Sequence, residues 1–301
     1  DYFTQYQPPL VDDLDNDGQM EIIASTDYFG SYPRGISIYR PDGTSFSANW
    51  PKIIEYISSN ALTVADINGD EHKEIIYSSA VGDLHALDLF GEEMPGWPVP
   101  IDGLGEQFMR FASVDDLNQD GTVEIVAGFS NRYVATTTFH VLNGAGEPLP
   151  GWPRLFGQNE APYLSLTAPP VIADLNQEDQ KEIIVGLGEW NSDWTRMQGS
   201  VAAWQLTGTP LWSKTVQGVP TSLAAGDTDG DGFFNIVART ETYSDFYTFA
   251  VDRGSIYNFS ANGTLITGWP KTTQGKYYTS DPVLGNVDGD AAAEIFIADI
   301  Y

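Results

Sequence analysis

Apolar residues in this chain gather in short runs of Val, Ile, Leu and aromatics, each closed off by Gly, Pro, Asn or Asp. Runs such as "GISIY" (35–39), "KEIIYSS" (73–79) and "GSVAAWQL" (199–206) have the length and β-branched content of strands. No stretch holds a 3.6-residue apolar period with caps at its ends. The nearest to one is "KIIEYISS" (52–59), which we also read as extended. The pattern predicts an all-β protein.

The strands are organised by a repeat, which sets the fold before any single element does. The decapeptide "DLDNDGQMEI" at Asp13 returns as "DINGDEHKEI" at Asp66, "DLNQDGTVEI" at Asp116 and "DLNQEDQKEI" at Asp174. It returns again as "DTDGDGFFNI" at Asp227 and "NVDGDAAAEI" at Asn286, at intervals of 50 to 59 residues. A second motif keeps step: a turn such as "PDG" (41–43), "FGEE" (90–93), "NGAGE" (143–147), "TGT" (207–209) or "ANG" (261–263), then a Trp at 50, 97, 152, 212 or 269. The fourth copy shows one unit in full. "APPVIAD" is a first strand, the acidic loop follows, "KEIIVGLG" is a second, "GSVAAWQL" a third and "PLWSKTV" a fourth. Four antiparallel strands per unit, repeated, describe a β-propeller with four-stranded blades, of which six repeats are visible. Blades are expected to start near residues 8, 61, 111, 169, 222 and 281 of a single domain spanning 1–301, the last one incomplete. That shortfall suggests a piece of a seven-bladed whole, or a last blade completed by another chain, with residues 1–7 available as an outer strand. The recurring Trp is expected in blade-to-blade packing rather than as a sugar-stacking ring.

Charge gives the acidic loop its meaning. The 301 residues carry 42 acids against 14 Lys and Arg, a formal net charge of −28. Such a surplus excludes phosphate backbones and anionic lipid surfaces as partners, and it calls for a counter-charge from outside the chain. With the six loops in register, position one is Asp13, Asp66, Asp116, Asp174, Asp227 and Asn286, and position three is Asp15, Asn68, Asn118, Asn176, Asp229 and Asp288. Position five is Asp17, Asp70, Asp120, Glu178, Asp231 and Asp290; position nine is Glu21, Glu74, Glu124, Glu182, Asn235 and Glu294. All are oxygen donors at alternate positions. With the backbone carbonyl of position seven (Gln19, His72, Thr122, Gln180, Phe233, Ala292) they supply the six to eight hard oxygens that Ca²⁺ takes. Mg²⁺ prefers a tighter octahedron of waters, and no imidazole or thiolate stands ready for zinc or copper. An EF-hand needs Glu at position twelve between helices; here position twelve is Ala24, Tyr77 or Ala127 and a strand follows. Position six favours Gly for a positive φ, so Gly18, Gly121 and Gly232 predict firmer binding in the first, third and fifth loops than in the others.

The D-x-D-x-D-G-x-x-E spacing resembles the FG-GAP, or VCBS-type, repeats of the integrin α-chain propeller and of many secreted prokaryotic proteins. Glu rather than Asp at position nine is more similar to the prokaryotic members. The resemblance implies Ca²⁺ between strands one and two of each blade, up to six ions, on an extracellular or cell-surface protein.

Other chemistry is sparse. Cysteine is absent, which removes disulfides and thiolate nucleophiles. The three histidines are His72, inside a loop, and His85 and His140, in strand-like runs. No G-x-S-x-G, H-E-x-x-H or phosphate-cradling loop occurs, so no catalytic residue is assigned. No apolar run reaches membrane-spanning length, and the chain opens at Asp1 as a mature product or a piece would. Opposite the acidic loops, long aromatic connections at 26–35, 189–199 and 240–254 offer Tyr28, Tyr32, Trp190, Trp194, Tyr243 and Tyr247 as a ligand face. Rings that stack beside polar groups that orient suit a carbohydrate or a cell-surface or matrix protein. The leading expectation is a non-catalytic, calcium-stabilised recognition propeller. The alternatives are a carbohydrate-active lyase or hydrolase, and a structural subunit of a surface filament or sheath joined to copies of itself or to further domains.

Overall fold

A computed structural model describes residues 9–26, 35–54, 57–79, 82–101, 108–131, 136–156, 163–178, 180–190, 197–245, 250–273 and 280–298. Every regular element among them is a β-strand, and the described strands within 52–59, Lys52–Ile53 and the start of Ile57–Ala65, are extended as the composition predicts. No helix among the described residues is long and apolar enough to cross a membrane.

The first sheet takes β1 (Leu10–Asp12), β2 (Glu21–Thr26), β3 (Gly35–Tyr39) and β4 (Lys52–Ile53) in that order. The second repeats it with β5 (Ile57–Ala65), β6 (Glu74–Ser79), β7 (Asp83–Leu87) and β8 (Val99–Pro100). The third has β9 (Phe108–Asp115), β10 (Glu124–Asn131), β11 (Thr136–Leu142) and β12 (Arg154–Phe156). In the fourth, the outer position is shared by β13 (Tyr163–Leu166) and β14 (Val171–Ala173), which both pair with β15 (Glu182–Trp190), followed by β16 (Met197–Trp204) and β17 (Pro210–Gln217). Pro169 and Pro170 fall between β13 and β14; neither has an N–H to give to a ladder, which explains the break. The fifth sheet is β18 (Val219–Gly226), β19 (Asn235–Asp245), β20 (Ala250–Phe259) and β21 (Lys271–Thr272). The sixth pairs β22 (Val283–Gly285) with β23 (Glu294–Phe296). Each acidic loop thus joins the first two strands of its sheet.

The chain divides into two compact units. One is Asp1–Asp116 with Asp120–Phe129 and His140–Leu149; the other is Leu117–Gln119, Ser130–Phe139 and Pro150–Tyr301. Within each unit the core lies between sheets. Ile23 and Ile75 share one buried cluster, Ile76 and Ile125 a second, and Ile184 and Ile236 a third. A strand with neighbours on both faces buries consecutive residues rather than alternate ones, and all six residues of β6 are buried.

The recurring Trp belongs to these seams. The indole N–H of Trp50 donates to the Leu89 carbonyl at 2.9 Å, Trp97 to Gly144 at 3.0 Å, Trp152 to Leu206 at 2.6 Å and Trp212 to Ala261 at 2.8 Å. Each acceptor lies in or beside the turn before the fourth strand of the next sheet. Packing is therefore the role of these rings, as expected. The approach is close: a Cβ on Gly144 would sit 1.7 Å from the Ile67 carbonyl oxygen.

Candidate metal centres in the repeated loops

The six loops share one hydrogen-bonded scaffold. Position one accepts from the amides that follow it: Asp17 and Gly18 donate to Asp13 at 3.1 and 2.9 Å, Asp120 and Gly121 to Asp116 at 3.1 and 2.8 Å, and Gly230 and Gly232 to Asp227 at 2.7 and 2.9 Å. Position five accepts from the amide of position seven, as in Gln19 to Asp17 (2.8 Å), His72 to Asp70 (2.9 Å) and Ala292 to Asp290 (2.7 Å). Position nine turns back beneath the loop. There Glu21 accepts from the Leu14 amide (3.1 Å), Glu74 from Ile67 (3.0 Å), Glu182 from Leu175 (2.8 Å), Glu294 from Val287 (2.9 Å) and Asn235 from Thr228 (2.7 Å). Alternate side chains consequently converge while the backbone wraps around them.

In the first, second, third and fifth loops that wrapping takes two residues at positive φ. Position six meets the sequence expectation at Gly18 (+88°), Gly121 (+91°) and Gly232 (+89°), and Glu71 takes +73° despite its Cβ. Sequence reasoning missed position four, where Asn16 (+56°), Gly69 (+78°), Gln119 (+58°), Gln177 (+57°), Gly230 (+74°) and Gly289 (+84°) are all left-handed. Asn or Gly in four of the six copies is the signal that could have found it.

The electrostatics are those of a site short of positive charge. Glu21, Glu74, Glu182 and Asn235 are buried. Burial pushes the Glu74 carboxyl up to about 7, with Asp70 and Asp66 adding to the rise. Glu21 is raised first by burial and then by Asp15, Asp17 and Asp13; Glu182 is raised by burial and by Asp174 and Glu178. Asp15 Oδ1 is buried and has no hydrogen-bond partner. Among the described residues, carboxylate oxygens lie within 4.8 Å of one another in three groups: Asp13, Asp15 and Asp17; Asp227, Asp229 and Asp231; and Asp288, Asp290 and Glu294. These are the loops with Asp at position three. In the second and fourth loops, where Asn stands there instead, its amide serves the buried glutamate, with Asn68 Nδ2 donating to Glu74 at 3.1 Å and Asn176 Nδ2 to Glu182 at 2.8 Å. An all-oxygen donor set with an unsatisfied inward oxygen fits a hard divalent cation.

Residues 13–77 match the profile of the FG-GAP-like repeat. The crystal structure of the V. cholerae biofilm matrix protein Bap1 is similar to this chain, with a TM-score of 0.60 at 16% identity, over 97% of this chain and 52% of that one. The Dos1 propeller is similar with a TM-score of 0.52 at 11% identity, over 88% of this chain and 62% of that one. The chain has a β-propeller fold, with an FG-GAP-like repeat at residues 13–77. It spans about half the length of the Bap1 chain. No curated protein matches it.

The sheets are the blades of this propeller, with the acidic loops at corresponding places in each. Of the proposed ligand face, Tyr28, Tyr32, Trp194 and Tyr247 lie outside the described residues. Trp190 closes β15, paired with Tyr163 and Met197, and Tyr243 stands at a bulge in β19. The described residues of 189–199 and 240–254 belong to strands, Glu182–Trp190, Met197–Trp204, Asn235–Asp245 and Ala250–Phe259, rather than to loops. His85 Nδ1 lies 2.6 Å from a Glu93 carboxylate oxygen, and its ring stacks on Tyr77 at 4.6 Å. His140 is buried edge-on to Phe129, and burial pushes its pKa down to about 4.

Proposed function

We propose that this chain is a non-catalytic, calcium-stabilised extracellular propeller that recognises a carbohydrate or a cell-surface protein. The observation that carries the reading is the first loop, where Asp13, Asp15 and Asp17 converge around a buried Asp15 oxygen with no partner. Ca²⁺ bound there supplies positive charge to carboxylates that otherwise repel, and it ties the first two strands of a blade together. Asp13, Asp15, Asp17 and Glu21, with the Gln19 carbonyl, would hold it; the other five loops offer the same positions. The first and fifth loops meet both the glycine and the carboxylate requirement. The third meets the first requirement and the sixth the second. Likeness to a biofilm matrix protein and a net charge of −28 both support a place outside the cell.

Calorimetric titration of the chelated protein with calcium tests the metal; absence of any heat or of a rise in melting temperature would sink it. A glycan array in millimolar calcium, repeated with chelator, tests the ligand. Discrete calcium-dependent binding lost in Trp190→Ala and Trp194→Ala supports a lectin-like face. A blank array with folded protein moves the reading to a protein ligand.

A further inference from the structure

Strand alternation divides the residues flanking each loop between the two faces of a blade. Position ten packs backward, as Ile75 does with Ile23 of the first blade, and position eleven packs forward, as Ile76 does with Ile125 of the third. Position two also faces forward: Leu14, fully buried, shares the cluster of Ile23 and Ile75. The first and second loops are then bonded directly. The Lys73 amide, at position eight of the second loop, donates to the Leu14 carbonyl at 2.9 Å. The Lys73 ammonium donates to Asp12 Oδ1 at 2.6 Å, and that oxygen also accepts the Asp13 amide at 2.9 Å. One residue thus grips the first loop on both sides of Asp13.

The backbone bond recurs. Lys181, again at position eight, donates to the Leu117 carbonyl at 2.8 Å, and Ala293 to the Asp227 carbonyl at 2.7 Å. The first and second loops lie wholly within one compact unit, and the fifth and sixth wholly within the other.

Peptide geometry gives this bond its consequence. In a planar trans peptide the N–H and the C=O point opposite ways. The N–H of Lys73 shares its plane with the His72 carbonyl, and that of Ala293 with the Ala292 carbonyl. These are the position-seven oxygens of their loops. A partner that fixes the N–H therefore aims the carbonyl, here away from the preceding loop. At the other end, the Leu14 carbonyl shares its plane with the amide of Asp15, position three of the first loop, while Asp227 is itself position one of the fifth. A single hydrogen bond thus joins a donor residue of one loop to a donor carbonyl of the next. The receiving loops are also ones without Gly at position six, where they carry Glu71 and Ala291.

We propose that these loops take calcium in coupled pairs, the first loop preparing the second and the fifth preparing the sixth. The inference rests on the calcium reading above. With a cation among Asp13, Asp15 and Asp17, the Leu14–Asp15 peptide is fixed, and the Lys73 bond passes that order to the His72 carbonyl. Less ordering then remains for the second site, which is positive cooperativity.

Hydrogen exchange of the full chain during a calcium titration reads each loop separately. Asp17→Ala removes an exposed first-loop carboxylate and should raise the calcium midpoint of the second loop by about fivefold or more, the lower end of measured site couplings. Asp70→Ala should raise the first-loop midpoint by the same factor, because coupling is reciprocal. The fifth-loop midpoint should stay fixed in both variants. Lys73→Pro removes the amide proton; in that background Asp17→Ala should leave the second-loop midpoint unmoved. Should Lys73→Pro not fold, the reciprocal pair decides alone. Calcium that protects no loop fails the calcium reading and takes this inference with it. Calcium that protects both loops, at midpoints indifferent to the other loop's variant, leaves that reading standing and overturns the coupling. A shift that persists in folded Lys73→Pro overturns it as well.

Discussion

Asp15→Asn separates a cation site from an acidic turn because the two readings give it opposite signs. Without cation, wild-type Asp15 keeps a buried oxygen unpaired, and its charge helps push the Glu21 carboxyl upward. The chain already contains the alternative: at the same position Asn176 donates to Glu182 at 2.8 Å and Asn68 to Glu74 at 3.1 Å. An amide at position 15 would serve Glu21 in the same way. An unsatisfied buried polar group costs about 1–3 kcal/mol, so in chelator the variant is expected to be about 1–2 kcal/mol more stable than wild type. For a chain of this size that is a rise in melting temperature of about 2–4 °C per kcal/mol. In calcium the order should invert. A site filled at a hundredfold excess over its Kd adds about 2.7 kcal/mol, and the variant has lost a charged ligand. The assay is a pair of thermal melts, with chelator and with calcium, on each protein. The reasoning is refuted if Asp15→Asn is the less stable protein in chelator, or if calcium raises both melting temperatures equally.

Three further outcomes follow from single residues. Glu71 holds φ +73°, where a Cβ costs about 1 kcal/mol; Glu71→Gly should raise the unfolding free energy by that amount, seen as a higher urea midpoint at unchanged slope, and a lower midpoint would contradict it. Trp97→Phe removes the indole bond to Gly144 and should cost about 1–2 kcal/mol. Trp269 has no such acceptor among the described residues, so Trp269→Phe should cost distinctly less in the same denaturation series. His140 is held near 4 by burial, below its unfolded value of about 6.5. As pH falls through that window the unfolded chain takes up a proton that the folded chain refuses, so up to about 3 kcal/mol of stability is lost. His140→Leu should flatten stability between about pH 7 and pH 4.5; parallel profiles would dismiss the idea.

The repeat made most of the fold legible in the sequence. Six in-register loops located every first and second strand, and the Gly turn with its Trp located the seams. What the letters hid is physical. Positions ten and eleven are both Ile in the first, second and fourth copies, so nothing in their identity tells that one packs backward and the other forward; only the strand's alternation decides it. The strand pair split at Pro169–Pro170 was missed because β13, "YLSL", is only four residues long and too short to stand out. At the loops, residue type revealed the donors, but it could not show that Asn68 and Asn176 would spend their amides on a buried glutamate while Asp15 faces inward alone. That contrast depends on distances between side chains that the period alone does not give.

The forward and backward alternation has a consequence for how such a chain varies. Neighbouring letters such as Ile75 and Ile76 answer to different partners, one about fifty residues upstream and the other about fifty downstream. Compensating changes should therefore couple position eleven of one copy to position ten of the next, skipping the adjacent residue. Exchanging a whole blade alters two seams at once, whereas a cut made between positions ten and eleven leaves both seams with their original pairs.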